Sequence, residues 1–311
     1  MPQTTNSIVM IRPVAFRMNE QTVVNNHYQK VIEGLLPATI NAKAQAEFDA
    51  FVEKLRAVGI NVIVIDDTVE PDTPDSVFPN NWISFHENGD IALYPMFAEN
   101  RRLERREDIF DILEEKGFQI NDIMDYTSAE EDGIFLEGTG NIILDRENEM
   151  AYCALSPRAD EELFIEFCED FEYNPVIFEA YQTVNGERKH IYHTNVMMCI
   201  AETFAVICAD CIDDKAERKM VLQKLKESGK EIILITEDQV NNFAGNMLQV
   251  RGANDERFLV MSNAAFNVLT KDQITKIEKH CKILHASLDI IEACGGGSAR
   301  CMMAEVFLPK K

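Results

Sequence analysis

An acid, a base and a thiol, Glu137, His193 and Cys301, stand at equivalent places in a short pattern that the chain repeats. The pattern occurs in five segments, which start at Phe78, Glu137, His193, Ala244 and Ser298. Aligning Asn81, Asn141, Asn195, Asn246 and Arg300 gives spacings of 60, 54, 51 and 54 residues. Each of these markers closes a polar loop and is followed by an apolar run. Glu137 lies four residues before its marker, His193 two before, and Cys301 one after. A repeat of this length is one supersecondary unit used several times, with its equivalent loops on one face. The three side chains are therefore expected to meet, and a thiol beside a base and an acid is the material of covalent catalysis.

The unit reads most clearly after His193. Val196–Ile200 and Phe204–Cys208 are apolar strands joined by a short turn, and Lys215–Ser228 carries Val221, Leu222 and Leu225 at helical spacing. Gly229 is placed to end that helix, and Glu231–Thr236 is a buried strand. The order strand, strand, helix, strand recurs with helices expected over Arg101–Lys116, Asp160–Asp170 and Thr270–Cys281. A split first copy has a helix over Ala42–Val58, and Asn88-Gly89 marks a hairpin in the second copy. Cys301–Leu308 has no helix after it and is expected to pair as a strand with Ser7–Ile11, closing a ring without free edges. The expected fold is α/β: five ββαβ units around a pseudo-fivefold axis, in a single domain over 1–311.

Composition limits the function. At 311 residues, with 46% hydrophobic and 27% charged residues, the chain has the make-up of a soluble globular protein. A formal charge of −23 argues against nucleic acid and anionic membranes as partners. The first residues lack the basic and apolar regions of a secretory signal, and no run approaches a membrane span. Eight cysteines without such a signal read as reduced thiols in a cytoplasmic protein. Cys208 and Cys211 lie three apart on an expected strand and so should face opposite ways, which gives no metal site. Cys294-Gly-Gly-Gly-Ser-Ala-Arg300 lacks the third glycine and following helix of a dinucleotide loop.

Phe78-Pro-Asn-Asn81, Leu136-Glu-Gly-Thr-Gly-Asn141, Ser156-Pro-Arg158, His193 and Gly295-Gly-Gly-Ser-Ala-Arg-Cys301 together resemble the guanidino-group-modifying enzymes. The resemblance runs along the whole chain and is strongest to the amidinotransferase-like subgroup associated with citrulline utilisation. It implies the five-bladed α/β propeller called the pentein, with no metal or cofactor. It also implies a small guanidino or ureido amino acid as partner, and leaves a homo-oligomer open. By the same resemblance Cys301 is the nucleophile, with Cys294 its rival on the far side of the triple glycine. His193 is the acid–base group, with His190 its competitor. Glu137 grips the planar nitrogens of the substrate, and Arg158 and Arg102 hold its carboxylate, a task suited to the arginine fork. Two positions depart from the deiminase pattern: Asn81 and Asn195 stand where acids are common. A cationic guanidinium asks for carboxylates, whereas a neutral ureido group asks for mixed donors and acceptors. The expected activity is cysteine-dependent hydrolysis of a guanidino or ureido group, citrulline being favoured. The alternatives are an amidinotransferase, an arginine or dimethylarginine deiminase, and a non-enzyme of the ribosome anti-association type.

Overall fold

The computed structural model describes residues 1–32 and 34–311. Among these, five three-stranded sheets repeat one plan. In the fourth, Met198–Ile200 runs antiparallel to Phe204–Ile207, which pairs in parallel with Glu231–Leu234. The helix Lys215–Glu227 makes the crossover and buries Val221 and Leu225. Its start is fixed by Asp214, whose carboxylate accepts from the backbone N–H groups of Ala216 and Glu217. The sheets beginning at Ile83, Ile143 and Leu248 follow the same antiparallel-then-parallel order.

The remaining sheet joins the two ends of the chain. Ala304–Glu305 pairs antiparallel with Ser7–Arg12, which pairs in parallel with Asn61–Asp66. The helix between them, Pro37–Ala57, buries Ala44, Phe48, Phe51 and Leu55 at helical spacing. The first strands of the hairpins touch one another, as Ile143–Asp145 does Met198–Ile200 and as Ala304–Glu305 does Ile83–Phe85. Apolar side chains between sheets and helices form the core. Burying a large one contributes about 1.5–3 kcal/mol, so these clusters hold the loop ends of the strands in place.

Three expectations are corrected. Arg101–Lys116 is two helices, Glu99–Arg102 and Asp108–Glu115, because Arg101 turns inward to Glu104 and Arg105 turns to Glu130. Only Ala304–Glu305 of the final segment is strand; Cys301 sits in a turn closed by its own N–H to Ser298 O. The strand from Phe204 stops at Ile207, and a turn over Ala209–Cys211, in which Cys211 N donates to Cys208 O, takes Cys211 off the strand so that the two cysteines do not alternate across it. A hairpin, Tyr181–Val184 with Glu187–His190, stands outside the repeat and carries His190 on an exposed edge. No helix among the described residues is long and apolar enough to cross a membrane.

Candidate active site

Each chemistry-bearing residue lies just before, within or just after a tight turn at the head of an inner strand. Glu137 precedes a single helical turn, Gly138–Asn141, and His193 precedes the turn Thr194–Val196. Gly138 has φ +46°, and a Cβ there would come within 2.5 Å of Asn80 O, so only glycine lets these two loops touch. The Asn141 side chain accepts from Glu137 N and donates to Tyr192 O, tying the acid's loop to the histidine's. Asn246 does the equivalent: its oxygen accepts from Arg300 N at 3.0 Å, and its amide donates to Asn195 O at 3.2 Å.

The three residues converge as the repeat requires. His193 Nε2 lies 2.7 Å from Glu137 Oε2, and both side chains are buried. Cys301 Sγ accepts from Asn246 Nδ2 at 3.2 Å and from Asn195 Nδ2 at 3.5 Å. The Asn246 orientation is secure, since its oxygen must face the Arg300 N–H. His193 and Cys301 share one cavity with Asp75, Asn81, Arg101 and Arg158. Thr22 and Asn26, from the segment between Arg12 and Pro37, cover it, leaving a cavity of only ≈ 10 Å³.

Charge is distributed to keep His193 a neutral base. Burial opposes ionisation of Glu137, but Arg158, the His193 hydrogen bond and Arg101 outweigh it and hold the carboxyl well below its ordinary value. Burial pushes His193 down to about 4, against the pull of Glu137. The neutral ring donates its Nε2–H to Glu137, which leaves Nδ1 as the proton acceptor. Nδ1 faces Gly140, where a Cβ would lie 2.9 Å from it and 2.5 Å from Asn81 Nδ2. Gly140→Ala is therefore expected to cut kcat/KM at least ~10-fold, because small displacements of reacting groups are costly. The check is steady-state kinetics beside a thermal melt, and unchanged kinetics would show that the space at Gly140 is not used.

Several expected roles change with the geometry. Glu137 is already engaged and does not line the cavity: Oε1 accepts from Phe97 N at 3.0 Å, and Oε2 accepts from His193 and from Arg158 Nη1. Its place is that of the group orienting His193. Arg158 is buried at the cavity as expected, but its Nε bonds Asn25 Oδ1 and its Nη2 bonds Asn25 Oδ1 and Thr22 O. A substrate carboxylate would have to displace Asn25 to reach that fork. Arg102 lies outside the cavity, donating to Met96 O, 3.5 Å from Glu130 and over the Phe135 ring. Its neighbour Arg101 lines the cavity, because successive residues of a helical turn point about 100° apart. Cys294 lies on the preceding helix, its thiol pushed up by burial.

Asn81 and Asn195 both reach the site. Arg101 Nη1 donates to Asn81 Oδ1 at 2.8 Å, and since arginine only donates, Asn81 must turn its N–H groups the other way. Among the described residues that Nδ2 has no partner, and neither do Asn80 Oδ1, Asn195 Oδ1 and Asp75 Oδ1. Buried polar atoms without partners are costly, and those of Asp75, Asn81 and Asn195 lie about the thiol, where a bound polar molecule would satisfy them. Asp75, Arg101 and Asn246 were not singled out as functional in the sequence. Asn246 could have been found, since it is the marker of its own repeat.

A thiol, an imidazole oriented by a carboxylate, and free amide and carboxylate atoms thus gather in one cavity at the strand heads. The chain belongs to the N,N dimethylarginine dimethylhydrolase family: the model of its eukaryotic members matches residues 12–308. Nothing among curated protein sequences matches it. Among solved structures it is similar to apo ArgZ, an arginine dihydrolase from the ornithine-ammonia cycle in cyanobacteria. The two are 17% identical with a TM-score of 0.73, over 98% of this chain and 41% of that one. The present chain thus spans about two-fifths of the length of that relative. A substrate-bound variant of the N-terminal domain of ArgZ is 17% identical with a TM-score of 0.71, over 97% of this chain and 99% of that one. A dimethylarginine dimethylaminohydrolase adduct with S-methyl-L-thiocitrulline is 14% identical, with a TM-score of 0.61 over 96% and 98%.

Proposed function

We propose that this protein is a cysteine-dependent hydrolase of the ureido group of a small amino acid, with citrulline turned over faster than arginine. The whole chain acts as one five-bladed catalytic domain. The observation that carries the substrate reading is the free N–H of Asn81, fixed in direction by Arg101. A ureido oxygen accepts that hydrogen bond; a guanidinium, which has only donors, does not. Asp75 and Asn195 supply free acceptors for N–H groups of the substrate.

The reaction then runs in two displacements. His193 Nδ1 takes the Cys301 proton as sulfur attacks the ureido carbon, while the amides of Asn195 and Asn246 stabilise negative charge on sulfur. The C–N bond to the amino-acid side chain breaks, and the proton held by His193 goes to the departing nitrogen. Ornithine leaves, with a carbamoyl group now on sulfur. Water, deprotonated by the same Nδ1, attacks that carbon and frees the thiol and carbamate, which falls to ammonia and carbon dioxide. Splitting one hard displacement into two easier ones is the gain from the thiol.

The test is Asn81→Asp. One carboxylate oxygen keeps the Arg101 bond while the other replaces a donor by an acceptor in the cavity. An unpaired buried donor costs about 1–3 kcal/mol, so the citrulline-to-arginine ratio of kcat/KM should move at least ~10-fold toward arginine. Wild-type preference for arginine, or an unmoved ratio in the variant, overturns the ureido reading while leaving the thiol chemistry intact.

A further inference from the structure

A second cavity lies behind the first, further along the inner strands, and the two share no lining residue. It sits among Ile143–Leu144, Cys199–Ile200, Leu248–Gln249 and Glu305, and its volume is ≈ 30 Å³. Two arginines reach it. Arg300 is paired, with Nη2 2.7 Å from Glu305 Oε2 and Nη1 donating to Met303 O. Arg146 is 3% exposed and has no carboxylate partner among the described residues. Its guanidinium carbon lies over the Phe307 ring, 3.9 Å from the ring centre, and the side chain makes one long hydrogen bond, 3.4 Å, to Tyr173 Oη. A buried cation without a counter-charge is expensive, and an arginine edge left open to a cavity is a ready partner for a planar oxyanion. Two arginines against one glutamate leave this small space with a charge of about +1, in a chain whose formal charge is −23. Gln3 bounds the cavity, held by its bonds to Leu144 O, Ile200 O and Arg146 N.

We propose that this cavity is a binding site for one small planar monoanion of the formate or bicarbonate class, separate from the substrate site. Size limits the ligand, because a water needs at least about 10–15 Å³ of such space, and the walls here are mostly paired strands, unlike the Thr22 and Asn26 loop cover of the substrate cavity; a three- or four-atom anion fits. Charge selects a monoanion, and the open Arg146 fork selects oxygen pairs in a plane. The site lies one residue from the nucleophile, since Arg300 precedes Cys301 and its N–H is held by Asn246, the donor to Cys301 Sγ.

The test uses the intact chain without substrate, at fixed ionic strength with gluconate, which is too bulky to enter, as the balancing anion. Sodium formate is expected to raise Tm saturably by about 2–4 °C at concentrations well above its Kd. The rise should vanish in Arg146→Gln. A rise that does not saturate, or one that survives in Arg146→Gln, overturns the proposal. Should that variant fail to fold, a crystal structure of the wild type grown in formate decides: density for formate against Arg146 supports the site, and an empty cavity refutes it. Neither readout uses turnover, so the outcome is independent of the ureido reading.

Discussion

Cys301→Ala is expected to abolish turnover of every guanidino or ureido substrate while the folded protein still binds them. The thiol has no substitute nearby: of the eight cysteines, Cys301 alone lines the cavity with His193. Removing the sulfur leaves one N–H of Asn195 and one of Asn246 without an acceptor, each a loss of about 1–3 kcal/mol, which the core of a chain this size tolerates. Asn246 keeps its bond to Asn195 O, so the loop around position 301 stays tied. The measurement pairs product detection by mass with calorimetric titration of citrulline. Citrulline heat without product supports the assignment. Mapping iodoacetamide adducts on the wild type gives a separate reading: inactivation that follows modification of Cys294 with Cys301 untouched would remove Cys301 from the mechanism.

The depth to which the sequence could be read depended on whether a feature was periodic. The strand–strand–helix–strand order showed because inner strands are continuously apolar and crossover helices alternate charge, as in Met198–Ile200 and Lys215–Glu227. Equivalence of the loop ends followed from the markers, and that placed Glu137, His193 and Cys301 together without reference to any distance. Direction within a turn was not legible. Arg101 and Arg102 are consecutive, and only the packed structure shows which one the one-turn helix points inward. The role of Glu137 was hidden for a related reason. Its two oxygens bond Phe97, His193 and Arg158, residues as far as 56 positions away, and a sequence does not show when a carboxylate is already engaged.

Asp75 and Asn25 show a further limit. Both belong to loops with no repeat equivalent, read in the sequence as connections or not at all. Asp75 is buried against Asn19 and Thr22, with one oxygen free beside the cavity. Its carboxyl is raised by burial, opposed by the nearby Arg101. Asn25 holds the Arg158 fork that a substrate carboxylate would use. Such contacts form only when the segment between Arg12 and Pro37 folds back over the loop ends.

His193→Ala carries the second large effect, an expected loss of ~10²–10⁴-fold in kcat, the usual worth of positioned acid–base help. Both displacements need a proton moved by this ring, so single-turnover experiments should show thiol attack and release of the carbamoyl group slowed together. Glu137→Gln should lose nearly as much, because an amide can donate as well as accept and no longer fixes which nitrogen carries the proton. The double variant should then be little worse than His193→Ala alone, since two residues acting as one unit do not add. The pH profile supplies a sign that a purely structural role would not. Burial holds His193 protonation near about 4, so the basic form is present across neutral pH and the acid limb of kcat/KM should fall nearer pH 4 than the ordinary 6.5. A limb at 6.5, or residual activity near wild type in His193→Ala, would take the proton transfers away from this histidine and leave it a packing residue beside Glu137.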